Sequence, residues 1–485
     1  MAVIRETTRT ITKEVELSPL DLRRFQGILP PRAWGVVAGA MERAGDVLDG
    51  RVLWNVNSTP KGGGVAELLQ SMVPYVRGAG VDARWVVIGG NPRFFAVTKR
   101  IHNRLHGVGV CGMPLGDDER RVYEETLQPN AAELASRIGA EDVVILHDPQ
   151  TAGMIDALLD TGATILWRAH VGLDHPNDEA RSAWNFLRGY VDGAHCYVFS
   201  RRAFAWEDLD ESKIEIIPPS IDAFSPKNQD LDPDRVSAIL SAAGIIEDGG
   251  SAEPLYQGVD GRFGSVQRRA RFVGDNGPIP RDARLALQVS RWDRLKDPLG
   301  VIEGFARHFD GSSHLAVAGP ETEAVADDPE GKEVLEEAEA LWSSLPPQVR
   351  ERVHLLALPM DDMQENAAIV NALQRRADVV VQKSLAEGFG LTVAEAMWKA
   401  RPVIASRIGG IQDQIEHGVT GFLLDDPRDL DTFGRMLASL LDDPQRCTAV
   451  GRAARERVRA RFLHTTHLVR YLDLLERLLG SGARR

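Results

Sequence analysis

Two hydrophobic rhythms alternate along this chain. Short β-branched runs, apolar without a break, read as strands buried on both faces. Stretches with apolar residues three and four apart read as helices. In the first half the runs fall at 51–57, 83–89, 143–147, 164–168 and 195–200, with helical spacing at 95–106, 131–138 and 179–191. A second series opens at 285–290 with a helix from Leu299, and continues through strands at 314–318, 353–356, 379–382 and 402–405. Helices follow at 430–441 and 445–460, and a final one at about 465–479 keeps Leu468, Tyr471, Leu472, Leu475 and Leu479 on one stripe. This alternation predicts doubly wound parallel sheets, which bind ligands beyond the carboxyl ends of their strands. Two series predict an α/β architecture of two Rossmann-like domains facing a central cleft, residues 51–220 and 221–464. The stretch 214–222, a strand followed by Pro218-Pro219, is the predicted crossing, stiff because proline fixes φ. Residues 1–50 read as an extension, strand-like at 4–17 and helical at 20–28 and 33–47, with no evident chemistry. Residues 230–282, Gly-rich, charged and aperiodic, read as a flexible surface insertion.

Composition narrows the class. A chain of 485 residues is too long for one ordinary core. A net charge of −13 disfavours general nucleic-acid binding, which needs a basic surface. Cys111, Cys196 and Cys447 are too few and too scattered for a disulfide framework or a zinc site. No apolar run approaches the length of a membrane helix, and the N-terminus lacks a signal-peptide core, so a soluble, cytoplasmic protein is expected. Asp-x-Asp triplets at Asp208, Asp230 and Asp429 fall away from predicted strand ends, so no metal site is expected.

The chemistry concentrates at turns that follow strands. Glu387-Gly388-Phe389-Gly390 links the 379–382 strand to a helix that starts near Leu391 and carries Glu395. Glycines let backbone approach a ligand, and a helix start offers free N–H groups and a positive dipole end to an anion. Glu387 and Glu395 are separated by roughly the length of a diphosphate, at about 1.5 Å of rise per helical residue. Gly62-Gly63-Gly64 makes a second anion-facing helix start, but matches neither the dinucleotide fingerprint nor the P-loop. Arg291 and Lys296, five apart at a strand–helix junction, suit a diphosphate as planar fork and point charge. Polar clusters end two strands of the first series, His147-Asp148-Pro149-Gln150 and Arg168-Ala169-His170, and form a candidate cleft wall.

The Glu387–Glu395 segment, with Ala396–Ala400 and Pro402–Ala405 behind it, resembles the donor site of retaining GT-B glycosyltransferases of family four. Further segments resemble the trehalose glycosyltransferring synthases within it: Trp54–Thr59 with Gly62–Glu67, Ser71–Pro74, Phe94–Lys99, His147–Gln150, Trp167–His170, Pro218–Asp222 and Asp327–Gly331. They run in order over about residues 50–480. The resemblance implies that glucose passes from a nucleoside-diphosphate glucose, ADP- or UDP-linked, to the anomeric hydroxyl of free glucose, giving α,α-trehalose with retention. By resemblance Arg291, Lys296 and the Gly63, Gly64, Gly390 and Leu391 backbone face the diphosphate. Glu387, with Gly388 and Phe389 on its turn, binds donor-sugar hydroxyls, Glu395 binds ribose, and His170 positions the reacting sugar. Asp148, Gln150 and Arg168 are assigned to the acceptor. The resemblance further implies that the C-terminal helix, 465–485, returns to the first domain and that the protein is a homodimer needing no cofactor. Nothing in the sequence supports a protein nucleophile, so same-face attack is preferred to double displacement.

Three other readings stand beside this one. A retaining trehalose phosphorylase shares related motifs and would work without nucleotide. A nucleotide-sugar sensor would bind without turnover. A membrane-bound transferase would carry a basic, aromatic-rich segment that this sequence lacks.

Overall fold

The computed structural model describes residues 11–61, 63–109, 115–247, 249–274, 276–309, 311–322 and 329–482. Residues 4–10 of the strand-like start, Gly62, Cys111, Asp327 and Asp328 lie outside them. The chain divides into two compact units, Met1–Ser220 with His464–Arg485, and Ile221–Leu463.

Seven strands build the first unit: β1 (Lys13–Glu14), β2 (Val52–Asn57), β3 (Asp82–Val87), β4 (Val143–His147), β5 (Thr164–Ala169), β6 (Cys196–Phe199) and β7 (Ile214–Ile216). Their order is β1-β3-β2-β4-β5-β6-β7. Only β1 runs antiparallel to its neighbour, pairing Lys13 with Val87. Alternate residues face opposite sides, as a pleated strand requires. Trp54, Val56, Val144, Leu146, Ile165 and Trp167 enter one core. Leu53, Val143, Ile145 and Leu166 enter the other, with Tyr471 and Leu475 of the C-terminal helix His464–Gly482. The helix Pro31–Val47 packs along that same C-terminal helix, where Arg43 Nε meets Glu476 at 2.7 Å. From β1 onward the first 50 residues are therefore an integral layer of this unit.

The helix expected at 131–138 is longer and earlier, Asp117–Ala135. Its start is set by Asp117, Asp118 and Glu119, whose acidic groups suit a helix N-terminus, and Glu119 accepts the Gly116 N–H at 2.9 Å. Pro129 inside it hides the helical period from a reading of the sequence.

The second unit adds β8 (Leu255–Gln257), β9 (Phe263–Ser265), β10 (Arg271–Val273), β11 (Leu285–Val289), β12 (His314–Pro320), β13 (Val353–Leu358), β14 (Val379–Gln382), β15 (Val403–Ser406) and β16 (Phe422–Leu424). Its main sheet has the order β10-β13-β12-β11-β14-β15-β16. The segment 230–282 is not a flexible insertion. It supplies the helix Pro233–Ala242, the β8–β9 hairpin, and β10 as an antiparallel edge strand on β13. Ile245, Ile246, Val266 and Ile279 are buried. The buried carboxylate of Glu365 accepts the Gln267 and Arg268 N–H groups, both at 2.6 Å, and pairs with the Arg268 side chain. Its anchors are isolated apolar residues set among charges, so no periodic pattern marks them.

Candidate active site

Each sheet reverses its strand order once, and the candidate residues gather there. In the second unit the chain runs outward through β11, β12 and β13, then returns to place β14 beside β11. The loops leaving adjacent parallel strands that diverge in this way frame a crevice, the usual ligand position in such sheets. The loop after β11 carries Arg291 and Lys296, and the loop after β14 carries Glu387. The two are tied together by the Leu385 N–H donating to the Leu295 carbonyl at 2.7 Å. Lys296 Nζ meets Glu387 Oε2 at 2.5 Å, both side chains mostly buried. Ser384 Oγ and Gln382 Nε2 approach the same oxygen at 3.4 and 3.5 Å.

The turn that holds Glu387 is fixed by backbone geometry. Gly390 caps the helix Leu391–Trp398 at φ 80°, a left-handed conformation that other residues adopt only with strain, and no side chain caps the helix. Gly409, at φ 47°, lies so close to Glu387 that a Cβ there would collide with the Glu387 carbonyl oxygen. The Gly410 N–H donates to the Gly388 carbonyl at 2.7 Å. Phe389 is buried against Phe462, their ring centroids 5.8 Å apart. The result is an uncapped helix start above a carboxylate–ammonium pair, suited to a ligand with a negative end and a hydroxylated end.

Glu395, on the same helix, is 5% exposed, with Oε1 3.7 Å from Lys227 Nζ. Behind it Lys399 is buried, donating to Asn228 Oδ1 at 3.0 Å, and burial holds its pKa well below the usual lysine value. Arg291 stands apart from the Lys296–Glu387 pair: it is exposed and bonded to Asp293 Oδ2 at 2.9 Å.

In the first unit the reversal lies between β2 and β4. The loop after β2 carries Gly63, which with φ 83° caps the helix Gly64–Gly78 without a side-chain bond. At the β4 end, Asp148 adopts φ 64°, and its N–H donates to the Arg168 carbonyl at 2.8 Å. That kink turns its carboxylate back, so that Oδ1 accepts the His170 N–H at 2.8 Å. Burial pushes the Asp148 carboxyl up to about 7, against the pull of that hydrogen bond and of Arg168. His170 Nε2 lies 3.0 Å from His147 Nδ1, and His147 Nε2 lies 3.2 Å from Asn55 Oδ1. Burial first, and the Arg168 charge second, lower His147 to about 3 and His170 well below the ordinary value.

The sequence expectation for Arg168, contact with an acceptor, does not match its position. The residue is fully buried, beside Tyr471 of the C-terminal helix. Here it is a buried charge that adds, second to burial, to what keeps the neighbouring imidazoles neutral. Gln150 is half-buried on the turn, with no side-chain partner among the described residues.

Reading the sequence missed Lys383, which is fully buried at the end of β14, pairs with Asp297 and donates to the Pro427 carbonyl at 2.7 Å. Asp297 is the next residue after Lys296 and sits at φ 51°. A lysine closing a buried strand was the available signal. Asn55, the third member of the histidine chain, was also missed, because an asparagine inside a strand run reads as an ordinary interior residue.

Two family models match this chain: the N-terminal domain of trehalose synthase over residues 55–206 and the group 1 glycosyl transferases over 275–457. The trehalose synthase of Pyrococcus horikoshii is 36% identical over 448 residues, covering 92% of this chain and 94% of that protein. The chain belongs to the trehalose synthase family. A second member, from Rubrobacter xylanophilus, is 35% identical over 90% of this chain and 93% of its own length. Trehalose phosphorylase from Pleurotus sajor-caju is more distant, 26% identical over 83% of this chain, which spans about half (54%) of that relative.

The fold is that of GT-B glycosyltransferases. A UDP-forming α,α-trehalose-phosphate synthase from Burkholderia vietnamiensis superposes with a TM-score of 0.65 at 15% identity, over 88% of this chain and 96% of that one. The Escherichia coli structure with UDP-2-fluoro glucose superposes with 0.64 at 12% identity, over 88% and 99%. This member of the trehalose synthase family is a hexosyltransferase of trehalose metabolism. Among its described residues no helix is long and apolar enough to cross a membrane.

Proposed function

We propose that this protein transfers glucose, with retention, from a nucleoside-diphosphate glucose to the anomeric hydroxyl of free glucose, forming α,α-trehalose. The observation that carries the reading is the Lys296–Glu387 pair beneath the uncapped helix start at Gly390. A donor that enters there exchanges one ion pair for two contacts: Lys296 with the diphosphate, Glu387 with sugar hydroxyls. Negative charge grows on the leaving diphosphate in the transition state. Lys296, Arg291 and the N–H groups at Gly390 and Leu391 stabilise it, aided by Gly63 and Gly64. Glu395 binds the ribose. In the first unit His170 positions the reacting sugar, while Asp148 and Gln150 bind the acceptor. The leaving phosphate takes the acceptor proton, so no protein nucleophile is used. The likeness to trehalose phosphorylases favours one second reading, in which phosphate replaces the nucleotide.

The test incubates the full-length protein with ADP-, UDP- or GDP-glucose and glucose, and with glucose 1-phosphate and glucose in parallel, and reads products by NMR. A symmetric α,α-linked disaccharide from a nucleotide donor, lost in Glu387→Ala, is the expected result. Product from glucose 1-phosphate alone would transfer the assignment to the phosphorylase reading. No product from any donor would overturn both.

A further inference from the structure

Three side chains on three consecutive sheet positions form one hydrogen-bonded chain in the first unit: Asn55 on β2, His147 at the end of β4 and His170 beyond β5. His147 is buried and His170 half-buried, and their rings are 5.3 Å apart and nearly parallel, 21° between planes. The groups facing them are Arg168 from β5, Asp148 from the β4 turn and His467 from the C-terminal helix. Burial first, and the Arg168 charge second, disfavour a second proton on either ring, so both stay neutral and each carries one proton. A chain of two neutral imidazoles ending on an amide has two consistent proton patterns only. In one, Asn55 Oδ1 accepts from His147 Nε2–H, and His147 Nδ1 then accepts from His170 Nε2–H. In the other every donor and acceptor is reversed. The amide oxygen, at 3.2 Å, is the atom that faces His147.

We propose that Asn55, acting through His147, holds His170 as its Nε2–H tautomer and leaves His170 Nδ1 as a hydrogen-bond acceptor for a sugar hydroxyl. The inference deepens the proposed glucosyl transfer and rests on it for the identity of the sugar. His170 Nδ1 has no partner among the described residues, and the His170 main chain is anchored by Asp148, so the ring has one fixed presentation. Asn55 and His147 are positioning residues, because each reaches the sugar only through His170. A tautomer fixed in advance spares the site the loss of half its molecules to the wrong donor–acceptor pattern.

The test uses full-length enzyme labelled with ¹⁵N-histidine, without substrate, with His170 assigned by its loss in His170→Asn. The expected result from pH 5.5 to 8 is a protonated Nε2 and an unprotonated Nδ1, with Nδ1 shifting on addition of glucose or trehalose. In Asn55→Leu the two tautomers mix and kcat falls about tenfold, the loss of a hydrogen bond that one tautomer makes, while KM for the donor changes less than about twofold. Asn55→Asp, which can only accept, restores the tautomer and recovers part of kcat. A purely structural role for Asn55 would not move the nitrogen shifts of His170. Where Asn55→Leu does not fold, His147→Asn gives the same readings. A protonated Nδ1 in the wild type, a tautomer unchanged in Asn55→Leu, or an Nδ1 indifferent to every sugar overturns the proposal. A correct tautomer in an enzyme that makes no trehalose overturns the reaction instead.

Discussion

Acidification should destabilise the first unit well before ordinary carboxylate titration begins. Four of its histidines are neutral, His147, His464 and His467 buried and His170 half-buried, with His147 and His464 lowered to about 3 and the other two well below the usual value. The first cause at each is burial, which penalises the charged ring. A histidine lowered on folding contributes stability that is fully present above its unfolded value, about 6.5, and is lost as pH falls toward the folded one. Together the four therefore lose about 5 kcal/mol between pH 7.5 and 5.5. Asp148 acts in the opposite sense. Its carboxyl is raised to about 7. It takes up a proton in the native state over that range while the unfolded chain stays ionised, returning about 2 kcal/mol. The net loss is about 3 kcal/mol, a large share of the roughly 5–15 kcal/mol that holds a domain folded. With a urea slope of about 2.5 kcal/mol per molar for a unit of this size, the midpoint drops by about 1 M. Urea titrations followed by far-ultraviolet circular dichroism at pH 7.5, 6.5 and 5.5 measure it. His464→Gln assigns it. His464 accepts or donates to Ser71 Oγ at 2.7 Å and Ser220 Oγ at 2.8 Å, bonds that an amide can partly replace, and the variant should lose about a quarter of the gross pH effect. A midpoint that moves less than about 0.3 M between pH 7.5 and 5.5 would refute the reasoning.

Three further outcomes follow from the second unit. Lys296→Ala should lower kcat by about a hundredfold, with a smaller change in donor KM, because the cation acts chiefly on charge that develops during the reaction; initial rates at saturating donor decide it. Gly409→Ala should weaken donor binding at least tenfold while lowering the unit's thermal midpoint by only a few degrees, since the added carbon displaces the Glu387 turn rather than the core; titration calorimetry with the nucleoside diphosphate and with the nucleotide sugar separates phosphate from sugar contacts. Lys383→Met should cost about 3 kcal/mol by leaving Asp297 without its buried cation, and Asp297→Asn in the same chain should recover part of that. If the double variant is no more stable than the single, the pair is not what holds the Asp297 kink.

Which features the sequence disclosed depended on how far a residue's role is local. The runs at 143–147 and 379–382 coincide with β4 and β14, because a central parallel strand is apolar at every position and needs no distant partner to be recognised. Glu387 and Lys296 were legible for a related reason: each sits on a glycine- or proline-flanked turn leaving such a strand, where polar side chains have few structural uses. Residues 230–282 were misread because Ile245, Ile246, Val266 and Ile279 become core only when helix, hairpin and edge strand come together, and their spacing follows no single element. Arg168 fails as a sequence-based assignment on the same ground. Its place in the chain, at the end of a strand beside His170, is that of a ligand contact, yet its side chain belongs to the face of the sheet covered by the C-terminal helix, where Tyr471 lies beside it. Pleat alternation decides between those two fates, and it points Arg168 with Leu166 into the covered side. The charge at this strand end therefore acts on His147 and His170, where it adds to burial in keeping both rings neutral.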